Sequence, residues 1–207
     1  YQMGHHHYRP SDYVTPEMIA EGRADTQRQV TAALGRSISG PAFRGYTGAF
    51  CSSLVHDFNL VHGLLEHMGI EDVKPVAAQI FADAEGASAT LRINNDQALW
   101  QLTHLNVPHL AEYRERVALH FDDRILELIF PAPYLNHQPT TVTVAKSGGH
   151  VLHKTELRGG YEEAFVEEMK GFWRAIVEGE PVRNTPEHAA RDMALLIGLA
   201  HHHAKVR

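Results

Sequence analysis

Ser52, His56 and Asn59 bring three hydrogen-bonding side chains into one short stretch, Ser52-Ser53-Leu54-Val55-His56-Asp57-Phe58-Asn59-Leu60-Val61-His62-Gly63-Leu64-Leu65. Their spacing of i, i+4 and i+7 puts them on one stripe of an α-helix. Leu54, Phe58, Val61 and Leu65 recur on a second, apolar stripe, so the segment reads as an amphipathic helix anchored by that face. An imidazole held between two hydrogen-bonding neighbours on an anchored helix can take or give a proton. The competing reading is a solvated surface stripe, since His56 is one of 16 histidines in the chain.

The elements that must hold this helix follow from local signals. Thr15 can cap a first helix, with Pro16 at its first position, Glu17 at the positive end of the dipole and Gly35 after Leu34 to end it. Pro41 to Tyr46 reads as a strand leading into the His56 helix, which ends near Met68-Gly69. Residues 73–157 then take strand character: Val76–Ala82, Ala87–Ile93, Gln97–Val107 after the turn Asn94-Asn95-Asp96, Arg116–Phe121, Ile125–Phe130, and a hairpin of Thr140–Ala145 and His150–Leu157. Hairpin connections make these strands largely antiparallel. Two helices close the chain. Phe165, Met169, Phe172 and Ile176 line the first, which Gly179 stops; the second starts at Thr185-Pro186-Glu187 and buries Ala189, Met193, Leu196 and Ala200. The order is α+β, with helices on one face of an open sheet.

Composition narrows the function classes. The 207 residues suffice for one substantial core, and 43 % hydrophobic content describes a globular domain. A net charge of −6 without a basic run argues against nucleic-acid binding. Cys51 is the single cysteine, so no intrachain disulfide forms, as suits a reducing cytoplasm. A small buried residue and a helix-start thiol of lowered pKa are the two readings of Cys51. No apolar stretch approaches the ~20 residues of a membrane span, and the N-terminus does not read as a signal peptide. His5-His6-His7 reads as a natural strand end, with a tag or a metal site as alternatives, the latter needing a third ligand from elsewhere. His201-His202-His203 cannot converge on one ion from neighbouring helix positions, and no metal site is expected. Tyr134-Leu135-Asn136-His137-Gln138 is a polar loop that either binds sugar hydroxyls or faces solvent.

The His56 segment resembles the catalytic helix in the C-terminal domain of the glucose–fructose oxidoreductase/inositol dehydrogenase/MocA family, whose pattern is D-x-x-x-H-[ED]-x-D-x-L-x-x-L. His56, Asp57, Leu60 and Leu64 match it. Ser52 stands where the family usually has an aspartate and Asn59 where it often has a second. A hydroxyl does not hold an imidazolium as a carboxylate does. Tyr1-Gln2-Met3-Gly4 followed by His7-Tyr8-Arg9-Pro10 is similar to the family's interdomain strand, Leu34–Pro41 to its G-x-I-G-x-P turn, and Phe165–Ala200 to its C-terminal helices. Neither a G-x-G-x-x-G turn nor an E-K-P motif is found.

The resemblance implies a largely antiparallel (mixed) open sheet of the kind in the C-terminal domains of dihydrodipicolinate reductase and glyceraldehyde-3-phosphate dehydrogenase, without the N-terminal Rossmann domain. Residues 1–10 would be a remnant of the interdomain strand and 11–207 the substrate-binding and oligomerisation domain. The intact enzyme would be an NAD- or NADP-dependent cytoplasmic oxidoreductase of sugars, cyclitols or related polyols, with the chain alone inactive and binding no cofactor. His56 would be the catalytic base or orienting group, and Ser52, Asn59, His7 and Tyr8 would bind substrate. Family members commonly pair through the sheet, so a homo-oligomer, dimer or tetramer, is expected. The alternative is a non-catalytic module of the same fold that binds a ligand or partner.

Overall fold

The computed structural model of the chain describes residues 13–133 and 135–205. The expected strand over residues 1–10, with His7 and Tyr8, and Tyr134 of the loop lie outside them. Helix α1 (Pro16–Leu34) starts where Thr15 accepts a hydrogen bond from the Met18 amide at 3.3 Å, and ends at Gly35 with φ 64°. There the sequence reading holds.

The expected strand at Pro41–Tyr46 is helical instead. Helix α2 (Gly40–Gly45) runs into a π-helical stretch (Tyr46–Leu54) and then α3 (Val55–His67). Ser39 is extended and Pro41 opens the first turn, a helix-start signal that outweighs the short apolar run. The Thr47 hydroxyl donates to the Phe43 carbonyl at 2.9 Å, the kind of back-bonding that bends helices. Gly45 is required here: a Cβ would come within 2.5 Å of the Ile80 side chain.

Strands β1 (Val73–Phe81), β2 (Gly86–Ile93) and β3 (Ala98–Leu105) form one antiparallel sheet, with β1 and β3 at its edges. Pro75 lies on edge strand β1, where the register shifts between Pro75 and Ala77, so its missing N–H costs no ladder bond. Asn94, Asn95 and Asp96, between β2 and β3, all have positive φ, a conformation Asn and Asp tolerate best after Gly. Helix α5 (Pro186–Lys205) and the π-helical stretch cover one face of this sheet. The core between them holds Phe50, Phe58, Leu91, Leu196 and Leu199, all fully buried.

Strands β4 (Glu115–His120), β5 (Arg124–Phe130), β6 (Thr141–Gly148) and β7 (Val151–Arg158) form a second, separate sheet. One open sheet was the expectation; the described residues form two sheets in two units, 13–110 with 184–205, and 111–183. The break is local. Pro108 has no N–H, His109 has φ 70°, and Leu110 turns back to the Val107 carbonyl, so β3 does not lead into β4. Every strand pair described is antiparallel, so the sheets are not mixed.

In the second unit, register aligns Val117 and Leu119 with Leu128 and Leu126, these with Val142 and Val144, and Val142 with Leu157. Alternation puts this row on one face. None of the described residues of this unit is fully buried. Helix α4 (Ala164–Val177) forms where the Phe165, Met169, Phe172, Ile176 periodicity predicts it, but the expected burial fails. These four side chains are 59–67 % exposed.

Candidate functional site

Leu54, Phe58, Val61 and Leu65 are buried, so the apolar stripe of α3 faces the core as its spacing requires. The polar stripe does not converge. Ser52 and His56 are exposed, whereas the Asn59 amide turns toward α5. Ser52 lies in the π-helical stretch and His56 in the first turn of α3, so the two stand on differently wound segments. Among the described residues no side-chain hydrogen bond joins Ser52, His56 and Asn59 to one another.

What α3 does assemble is a seam with α5. Asn59 Nδ2 donates to Asp192 Oδ2 at 2.9 Å and to Asn184 Oδ1 at 3.0 Å. His62 Nδ1 bonds the other carboxylate oxygen, Asp192 Oδ1. Arg191 reaches Glu66 one turn further along α3, at 3.4 Å. The His62 ring lies edge-on to Trp100, with centroids 6.2 Å apart, and Trp100 packs against Phe58. The Asp192 side chain is 3 % exposed and that of His62 14 %, so this pair is screened from water.

Sequence reasoning missed Asp192 although a signal was present. The buried stripe of α5 is Asp192, Leu196, Leu199 and His203, at i, i+4, i+7 and i+11, while Ala189 is exposed. A carboxylate and an imidazole at the ends of an apolar stripe require partners. A carboxylate accepts, so Nδ1 of His62 is the donor. His56 lies six positions earlier, roughly 120° around α3, so the two rings project from different faces.

Replacing Asp192 by alanine strands the His62 N–H and one bond of the Asn59 amide in a nearly dry seam. The expected loss is about 3 kcal/mol, whereas Asp192→Asn, which keeps shape and one acceptor, should lose less than half of that. Urea unfolding checks this; a loss below about 1 kcal/mol for the alanine variant would mean the seam does not hold α3.

Cys51 is not at a helix start, because the helical run continues on both sides of it. Burial pushes its thiol above the ordinary range, with the Tyr46 hydroxyl offsetting part of that, and this favours the buried-residue reading over a reactive thiolate. Tyr46 is pushed up as well, by burial first and then by Cys51. Both groups keep their protons in the folded chain at pH values where the unfolded chain loses them. Their contribution to stability is therefore whole below about pH 8.5 and falls as pH rises through the thiol and then the phenol range, near 10. Denaturation midpoints should drop between pH 7.5 and pH 10, and drop less in Cys51→Ala. An equal drop in that variant would remove Cys51 from the account. Burial lowers the pKa of His104, with Glu85 opposing, which favours a neutral ring beside this core.

No family model matches the chain, and no curated protein matches it. Solved structures do. KijD10, a 3-ketoreductase from Actinomadura kijaniata, in complex with NADP and TDP-benzene, superposes with a TM-score of 0.54 at 19 % identity, covering 72 % of this chain and 43 % of that one. The same protein with NADP gives a TM-score of 0.52 at 19 % identity, over 72 % and 45 %. What is shared is the fold. The chain spans less than half the length of these neighbours. A dinucleotide cradle of the Rossmann kind needs parallel strands joined through a glycine-rich turn and a helix. Every strand pair described here is antiparallel, so the described residues do not form such a cradle. Among the described residues no helix is long and apolar enough to cross a membrane, and no group of three or more His, Cys, Asp or Glu side chains could hold a metal ion.

Proposed function

We propose that the chain is the substrate-binding and oligomerisation domain of a cytoplasmic glucose–fructose oxidoreductase/inositol dehydrogenase/MocA-family enzyme. That enzyme oxidises or reduces a sugar, cyclitol or related polyol with NAD or NADP held by a domain outside this chain. The observation that carries the reading is the shared fold with an NADP-bound 3-ketoreductase, together with the His56-Asp57 motif on a helix of that fold. His56, exposed on α3, would accept a hydroxyl proton from the substrate. Ser52 offers a hydroxyl to the substrate or to the ring. Asn59, its amide nitrogen engaged with α5, keeps an oxygen to offer and fixes the pitch of α3. His7 and Tyr8, outside the described residues, enter the proposal as substrate contacts through the resemblance alone.

The test is to supply the nucleotide-binding domain and screen polyols and keto-sugars with both cofactors. Turnover supports the reading. NAD(H) added to this chain alone should give no binding heat, and micromolar affinity would sink the assignment. The second reading, a non-catalytic module of the same fold, draws on Ser52 in place of the family's aspartate; no turnover on a broad panel would favour it.

Self-association through the second sheet belongs to the same proposal. The row from Val117 to Leu157 is a continuous apolar face on which no residue is fully buried. Light scattering at high micromolar concentration should report a dimer, the default closed form. Leu128→Glu should dissociate it, whereas Phe172→Glu on α4 should not. A monomeric parent chain, or dissociation by the α4 change alone, refutes pairing through the sheet.

A further inference from the structure

A cavity of about 150 Å³ opens in the first unit between the end of α1, the π-helical stretch, β1 and α5. It shares no residue with the α3–α5 seam. Ile38, Ala42, Ile80 and Ala200 form its apolar walls, and Arg36, Tyr46 and His203 bring its polar atoms. Two of these atoms are left unmatched. Arg36 Nε and Tyr46 Oη are buried without a hydrogen-bond partner, and Tyr46 as a residue is only 3 % exposed. The polar company of the Tyr46 hydroxyl is the Cys51 thiol, a weak hydrogen-bonding group.

The guanidinium is fixed in place, since Arg36 Nη2 donates to the Ala200 carbonyl at 3.0 Å. His203 Nδ1 accepts from the Ile80 amide at 3.3 Å, so that nitrogen carries no proton and the ring has a set orientation. Among the described residues no carboxylate forms an ion pair with Arg36. A held cation with a free N–H, a buried hydroxyl and apolar walls call for one negative charge with a short apolar tail. A single water leaves most of the space unfilled, as it occupies roughly 30 Å³. A phosphate dianion leaves half its charge uncompensated by one guanidinium.

We propose that this cavity binds a short-chain monocarboxylate, with its carboxylate on Arg36 Nε–H and the Tyr46 hydroxyl and its alkyl end against Ile38, Ala42, Ile80 and Ala200. Charge-assisted hydrogen bonds to two buried donors give the site its preference for the ionised acid. The full chain is titrated with acetate, propionate and butyrate by calorimetry and thermal shift, beside propionamide and inorganic phosphate. Saturable millimolar binding of the acids is expected, with none for the amide or phosphate. Arg36→Met should weaken it about tenfold or more, because a charge-assisted bond is lost. Tyr46→Phe, which keeps the ring and removes only the hydroxyl, should weaken it several-fold and decides alone if the arginine variant does not fold. Absence of binding overturns the proposal, as does equal binding of propionamide, preference for phosphate, or affinity unchanged in Tyr46→Phe.

Discussion

Phe58→Ala is expected to lower the unfolding free energy of the chain by about 4 kcal/mol, within the range for deleting a buried aromatic side chain. Phe58 is 0 % exposed, and its ring centroid lies 4.7 Å from that of Trp100, tilted at 47°. Truncation removes this aromatic contact and leaves a void among residues of α3, the sheet and α5 that cannot collapse together. The effect reaches the seam, because Asn59 and His62 hang from the same turns of α3 that Phe58 anchors. Against a typical domain stability of roughly 5–15 kcal/mol, this one change is a large fraction. Phe58→Leu should lose under half as much, since volume is largely kept. Urea midpoints with an unchanged slope check both; a loss below about 1.5 kcal/mol for the alanine variant would mean that Phe58 does not anchor the core.

His56→Ala should behave in the opposite way. Its side chain is exposed, so the stability change is expected within about 0.5 kcal/mol. If His56 moves the substrate proton, kcat in the assembled enzyme falls by about 10²–10⁴-fold. On that reading Tm and turnover would separate at His56 and fall together at Phe58. A His56→Ala enzyme within tenfold of the parent would remove His56 from catalysis. His62→Ala supplies the contrast, because it breaks a buried contact with Asp192 and is expected to lower stability.

How much of this was legible in the chain depends on whether the signal was local. Thr15, Pro16 and Gly35 bracket α1 because cap, first-turn proline and left-handed glycine all act within a few residues. Asn94-Asn95-Asp96 was legible as a turn for the same reason. The π-helical stretch was not, since no side-chain period announces the i→i+5 bonds. The periodicity of α4 told its conformation but not its surroundings. Asp192 could have been found by asking what a carboxylate does four residues before the buried Leu196. His62 required knowing which helix α3 meets, a fact held in tertiary contacts. Division into two sheets turned on Pro108 and His109, a short break within an otherwise strand-rich run.

The first unit is discontinuous in sequence, 13–110 and then 184–205, and this bears on the order in which the chain can fold during synthesis. Its N-terminal segment carries Phe50, Phe58 and Leu91 but not the Leu196 and Leu199 that complete their core. The bond from Arg36 to Ala200 spans 164 positions, so the ribosome must deliver all of the second unit before that contact can close. Until then the apolar faces of α3 and of the first sheet lack their α5 cover, the kind of transiently exposed surface that favours aggregation. The α3–α5 seam, which ties Asn59 and His62 to Asp192, therefore closes only after the second unit has been synthesised.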